Sequence, residues 1–413
     1  MNNGLKSILL SVGLAYLLCS CIKAVDTSPD SPSPKAPVVV TPPTIVLKNY
    51  LRPSYELQIS DVHIDLMQLR ATKEGINSGW NILAVSFLDI NGDGNDDIFY
   101  NSSYGQNVRT PGKIFMYKNG DYVLDDSYFT TPPSLIHPRK SIVGDFNNDK
   151  MPDIFIAAHG DDRPPFTGEY TELLLSNNNK KYDLVKFTER EDFYHGTCSG
   201  DIDKDGDLDI FVLGRLDSYF LINDGKGNFT YSLSQINKRE LIEQYQCELI
   251  DIDKDGYLDL IMGGHEFMSG NSTRIYWGNS TYSYASTNMT QIPSLLNWGV
   301  ITDLDVYDLD NDGINELLIS RTGGRPNDFT TYFYSGWQIQ VFKLSNRVVA
   351  DMTSSFIDNN IYIQTIPNNQ EWIPWIGFND YDKNGKVDFY STKCSNLNRV
   401  RWELQNKKLV RMQ

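Results

Sequence analysis

One twelve-residue pattern recurs six times along this 413-residue chain. The copies read DINGDGNDDIFY from Asp89, DFNNDKMPDIFI from Asp145, DIDKDGDLDIFV from Asp201, DIDKDGYLDLIM from Asp251, DLDNDGINELLI from Asp308 and DYDKNGKVDFYS from Asp380. Successive copies begin 56, 56, 50, 57 and 72 residues apart. A period of this length marks a small supersecondary unit stacked in an array, because one such unit cannot bury its own apolar face.

Within each copy, oxygen-bearing side chains stand at positions 1, 3, 5 and 9, usually with Gly at position 6. Alternate side chains of a tight loop converge, and Gly permits the sharp turn, which suits a hard cation with oxygen ligands. The candidate ligands are Asp89, Asn91, Asp93 and Asp97; Asp145, Asn147, Asp149 and Asp153; and Asp201, Asp203, Asp205 and Asp209. They continue with Asp251, Asp253, Asp255 and Asp259; Asp308, Asp310, Asp312 and Glu316; and Asp380, Asp382, Asn384 and Asp388. An EF-hand would need Glu at position 12 and flanking helices, whereas position 12 here is Tyr100, Ile156, Val212, Met262, Ile319 and Ser391. A many-carboxylate protein cage favours Ca²⁺ over Mg²⁺. Six near-equal copies suit structural ions better than a catalytic carboxylate pair. The copies from Asp201 and Asp251 are complete; Lys150, Glu316 and Asn384 mark the second, fifth and sixth as weaker or empty.

The stretches behind the loops, such as DLDIFVLG, are β-prone and bounded by Gly. The third unit reads as four strands: GTCSGDI, DLDIFVLG, SYFLIND and, after the turn GKGN, FTYSL. The expected fold is therefore all-β, a β-propeller of six motif-bearing four-stranded blades. The units resemble FG-GAP/VCBS repeats of integrin-type β-propellers over about residues 80–413. That resemblance implies calcium held between the first and second strands of a blade. Blade number stays open between six with an N-terminal arm and seven with residues 44–79 as a degenerate blade; seven is the expectation.

The N-terminus carries Lys6 and the apolar run ILLSVGLAYLL, too short for an ordinary membrane span, ending in LCSC. This resembles a bacterial lipoprotein signal over residues 1–21, with Cys21 as the lipidated residue. Residues 22–43 are rich in Pro and Ser and read as a tether. The expected location is the bacterial cell envelope, on the outer membrane through a lipid anchor. Cys198, Cys247 and Cys394 are too few for a disulfide framework and read as buried small residues; a Cys198–Cys247 bridge is the alternative.

A net charge of −16 argues against a nucleic-acid partner, and six Ca²⁺ would offset roughly +12 of it. Basic and polar residues gather instead where the second strands end, on the face opposite the loops. His159, Arg163, Phe166, Arg215, His265, Arg321, Arg325 and Phe329 are the candidate ligand contacts there. Arg beside Pro and a nearby ring suits bidentate recognition of a carboxylate, as in acidic sugars or protein side chains. The competing reading pairs each Arg with a neighbouring Asp and packs each Phe beneath its loop. No triad, metal-ligand His spacing or phosphate loop is present among the five histidines and their surroundings, so no enzyme activity is expected. The expected function is adhesion or carbohydrate or protein binding. A polysaccharide-degrading enzyme and an accessory subunit of an outer-membrane complex are the alternatives.

Overall fold

The computed structural model describes residues 81–412 except 96, 104–107, 120, 162, 216–217, 237–243, 269–270, 326–331, 364–371, 374–375, 380–386 and 392–400. The described strands all belong to the unit Ile45–Gln413. The expected signal peptide with Cys21, the tether, the 44–79 segment, Cys394 and Phe329 lie outside the described residues.

Among the described residues six antiparallel sheets, each a four-stranded blade, follow one another in a propeller arrangement, one per copy of the motif, and in the fifth the short strand Ile361–Tyr362 also pairs with the third strand. Blade 1 is Asn81–Leu88, Asp97–Ser103, Lys113–Lys118 and Asp121–Leu124; blade 2 is Pro138–Gly144, Asp153–Ala158, Glu169–Ser176 and Tyr182–Asp192. Blade 3 is Tyr194–Gly200, Asp209–Gly214, Tyr219–Asn223 and Phe229–Ser232; blade 4 is Gln244–Ile250, Asp259–Gly264, Arg274–Tyr276 and Met289–Gln291. Blade 5 is Val300–Tyr307, Glu316–Thr322, Trp337–Ser345 and Val348–Asp351; blade 6 is Ile376–Asn379, Asp388–Ser391, Arg401–Gln405 and Lys408–Arg411. The four strands expected in the third unit are all present. Helix is confined to Thr353–Phe356 and a 3₁₀ turn at Asp126–Tyr128 among the described residues, and no helix there is long and apolar enough to cross a membrane.

The second strands carry an apolar run behind the acidic residue that opens each of them, because both of their faces are covered. Asp153–Ala158, Asp209–Gly214 and Asp259–Gly264 are buried at every residue. Alternation with period two then sends successive residues to opposite neighbours. Ile154 and Ile156 join the core with blade 1, whereas Phe155 and Ala157 join the core with blade 3. Five apolar clusters form in this way, one at each successive junction from blades 1–2 to blades 5–6. Outer strands such as Phe229–Ser232 contribute little buried surface. First strands of successive blades pack on one another from blade 1 to blade 6, and so line the centre of the array.

The register along each first strand breaks at one residue in blades 1 to 5. The bulged positions are Leu83, Arg139, His195, Tyr245 and Thr302. Each stands six residues before the first Asp of its loop, so the bulge belongs to the repeat. A bulge re-aims the extra side chain and increases local twist, and this one recurs at the end of the strand away from the loop.

Candidate functional site

The cation loops join first and second strands, and their backbone is shared across blades. Position 4 adopts positive φ at Gly92 (76°), Asn148 (59°), Lys204 (64°), Lys254 (61°) and Asn311 (54°). Position 6 does so at Gly94, Gly206, Gly256 and Gly313, and also at Lys150 with φ of 71°. Lys150 therefore keeps the loop shape at a cost in backbone strain rather than abolishing it. The two left-handed residues turn backbone N–H groups inward onto the first carboxylate. In blade 4, Asp255 and Gly256 donate to Asp251 at 3.0 and 2.8 Å. Asp149 and Lys150 do the same to Asp145 at 3.1 and 2.9 Å.

The ninth position is the buried anchor of each loop. In blades 1 to 4 one of its oxygens accepts the N–H of position 2 and the other accepts an N–H from the third strand or the residues just after it. These pairs are Ile90 and Tyr117 on Asp97, and Phe146 and Ser176 on Asp153, at 2.7–3.0 Å. Ile202 and Asn223 hold Asp209, and Ile252 and Gly278 hold Asp259, at 2.8–3.1 Å. Burial pushes the Asp97 carboxyl up to about 6 and those of Asp153, Asp209 and Asp259 up to about 7.

Three loops bring carboxylate oxygens within 4.8 Å of one another: Asp201, Asp203 and Asp209; Asp251, Asp253 and Asp255; and Asp308, Asp310 and Glu316. The third loop fits a hard cation best. Its donors are all oxygens, and Asp201 Oδ1 is buried without a hydrogen-bond donor. Burial, with Asp203 and Asp205 adding repulsion, raises the Asp201 carboxyl. In the fourth loop, Arg347 from the blade 5 hairpin donates to Asp253 at 2.7 Å and Asp255 at 2.9 Å, with its guanidinium over Trp277. In the fifth loop, Lys343 sits among the carboxylates. Although burial works against its charge, hydrogen bonds to Asp310, Asp312 and Glu316 hold Lys343 above the ordinary lysine value. In the second loop Asn147 donates to Ser176 O at 2.9 Å, and Ser176 Oγ donates to Asp149 Oδ2 at 2.9 Å. Asp380, Asp382 and Asn384 lie outside the described residues, whereas Asp388 is buried.

At the opposite end of the strands lies a continuous run of ring contacts. His137 meets His159 at 3.8 Å, His159 stacks on His195 at 4.8 Å, and His195 meets Tyr245 at 4.3 Å between ring centroids. Tyr245 meets His265 at 4.4 Å, His265 meets Phe333 at 5.7 Å, and Phe333 meets Tyr334 at 4.5 Å. Tyr334 closes the run on Trp372 at 4.7 Å. The belt thus crosses from blade 2 to the approach to blade 6, and four of the five histidines stand in it. Bulged residues His195 and Tyr245 supply two of its members. Burial, reinforced by the nearby Arg139 cation, lowers His265 to about 3 and holds His195 well below the ordinary histidine value. His195 and His265 are therefore neutral at neutral pH.

The expected ligand residues divide. His265 belongs to the belt and is half-buried. His159 also belongs to it but is withdrawn, at 1% exposure. Arg321 is a correction: it is fully buried and ion-paired with buried Glu266, so it faces no ligand. Arg163 is taken up by Asp161, with Nε to Oδ1 at 3.0 Å and Nη2 to Oδ2 at 2.9 Å, which is the competing reading realised. Phe166 instead remains 45% exposed, with Arg215 from blade 3 over its ring at 5.9 Å. Arg325 lies over Tyr332 at 3.2 Å, and Tyr332 is 40% exposed. The belt itself escaped the sequence reading, which singled out only His159 and His265 among its members. The recurring position six residues before each loop was the available signal. Cys198 and Cys247 are free and buried in the blade 3–4 core, their sulfurs 2.7 Å apart.

Three overlapping stretches, residues 145–212, 201–262 and 251–319, match the FG-GAP-like repeat family. No curated protein sequence matches the chain. Solved structures similar to it include an Agrocybe aegerita lectin that recognises non-reducing terminal N-acetylglucosamine, at 16% identity and a TM-score of 0.31, covering 50% of each chain. The chain thus spans half the length of that lectin. BBS1N in its complex with ARL6DN is similar at 10% identity and a TM-score of 0.42, over 79% of this chain and 94% of that one.

Proposed function

The chain is a β-propeller that carries FG-GAP-like repeats, and from that premise we propose a calcium-stabilised binding module of the bacterial cell envelope. The observation that supports it is the division of chemistry between the two ends of the strands. Carboxylate loops gather at one end, and the ring belt from His137 to Trp372 lies at the other.

In this reading calcium is held by Asp201, Asp203, Asp205 and Asp209, with the Asp251 and Asp89 loops as further sites. When bound, the ion supplies positive charge among carboxylates that otherwise repel one another. The surrounding backbone N–H groups keep the loops shaped for it.

The ligand on the belt face is a carbohydrate. Flat rings offer a stacking surface for the C–H faces of a sugar, and Arg215 and Arg325, each over an exposed ring, flank it with fixed cations for a carboxylate. A protein ligand is the second reading, favoured by Leu296, which is 81% exposed in a loop on the same face. The face has a binding role in either case and no catalytic one.

Purified protein in calcium is incubated with acidic and neutral polysaccharides while retention and chain cleavage are followed together. Retention lost on Arg215→Ala or Arg325→Ala supports the carbohydrate face. Cleavage would replace the binding role by an enzymatic one. No retention in a cooperatively melting protein would turn the search to protein partners. Anchoring through Cys21 predicts that Cys21→Ser moves the protein from the membrane to the soluble fraction; an unchanged distribution would sink it.

A further inference from the structure

Blade 5 departs from its neighbours at one register position. Glu316, the ninth loop residue, pairs across strands with Lys343, and the same position in blade 6 pairs Asp388 with Glu403. Extending the cross-strand registers by one residue puts Met116, Leu175, Ile222 and Trp277 at that place in blades 1 to 4. Only blade 5 has a cation there.

The Lys343 ammonium lies 2.8 Å from Asp310 Oδ2, 2.7 Å from Asp312 Oδ2 and 3.1 Å from Glu316 Oε1. Positions 3, 5 and 9 of the loop therefore converge on one nitrogen. The remaining carboxylate, Asp308, accepts the N–H groups of Asp312 and Gly313 at 3.1 and 2.9 Å. A divalent ion using these ligands would have to displace the ammonium, since two cations sharing one set of carboxylates repel at contact distance. The ammonium is tethered to the same blade, so its local concentration is fixed and high. The third loop is the contrast: Asp201 Oδ1 is orphaned, and none of its four acidic residues forms an ion pair among the described residues.

We propose that Lys343 is the resident cation of the fifth loop, which therefore takes no divalent ion, so metal dependence is confined to other blades. The inference rests on the reading that the remaining loops bind calcium. Arg347, four residues on in the same hairpin, reaches Asp253 and Asp255 of the fourth loop. One hairpin thus brings positive charge to two adjacent loops.

Calcium bound per chain is counted by elemental analysis and titration calorimetry on the full chain, for wild type and three variants. Asp203→Asn, in the third loop, is expected to lose one ion. Asp310→Asn is expected to lose none, and Lys343→Met to gain one. Loss of an ion in Asp310→Asn overturns the proposal, as does an unchanged count in a cooperatively melting Lys343→Met. If Lys343→Met does not fold, the Asp310→Asn count decides. A wild type that binds no calcium overturns the calcium reading and this inference with it, and that failure is told apart by appearing before any substitution.

Discussion

Arg321 on the second strand of blade 5 and Glu266 beyond the second strand of blade 4 form an ion pair whose side chains are 0% and 1% exposed. Thr273 donates to Glu266 Oε1 at 2.7 Å, and Arg321 Nη2 donates to the same oxygen at 3.3 Å. Removing one partner leaves the other charge buried and uncompensated. Arg321→Met is therefore expected to destabilise the fold by about 3–5 kcal/mol. The double variant with Glu266→Met should recover much of that loss. Urea melts check both, and a single variant of wild-type stability would show that the pair is not a structural link between the blades.

Chelation should lower the melting temperature. A loop ion present at one hundred times its dissociation constant stabilises by about 2.7 kcal/mol per site. Calorimetric scans in EDTA and in excess calcium measure the difference, and coincident melts would remove calcium from the account.

The metal-free protein should lose stability as pH rises. Asp97, Asp153, Asp209 and Asp259 have folded values of about 6 to 7, above the ordinary carboxylate value, with burial as the main cause. The folded state then holds protons that the unfolded state has released. That contribution is complete below about pH 4 and is lost as pH climbs to about 7. His195 and His265 act oppositely, because their lowered values favour the neutral form and remove stability as pH falls below about 6.5. Two imidazoles against four carboxylates blunt the slope without reversing it. Melting temperatures in EDTA should fall between pH 5 and 8, and calcium should flatten the trend by favouring the ionised carboxylates.

Arg347→Ala should loosen the contact between blades 4 and 5. The guanidinium is 36% exposed, so solvent screens its pairs with Asp253 and Asp255. Together with the lost contact to Trp277, the expected cost is about 1–2 kcal/mol. The effect should shrink in high salt, and a salt-independent change would assign it to packing on Trp277 instead.

The repeat was legible because its signals are local. Asp at alternate positions, a turn and an apolar run all lie within twelve residues, so the loops, the four strands of blade 3 and the propeller class could be read directly. Position 4 was less visible, since Asn148, Lys204 and Lys254 take positive φ without a glycine to announce it. Lys150 shows the converse: a missing Gly that leaves the turn in place.

What sequence by itself determined is therefore the unit: where each blade begins, which oxygens gather, and which strands are buried on both sides. Tertiary structure alone decided what each unit meets. Lys343 enters the fifth loop because cross-strand register sets it opposite Glu316. Arg321 and Glu266 neutralise each other across a blade junction, and bulges carry His195 and Tyr245 into one belt with His265. These partners lie 20 to 55 residues apart along the chain. Their meeting depends on register and on packing between blades, which no local pattern encodes.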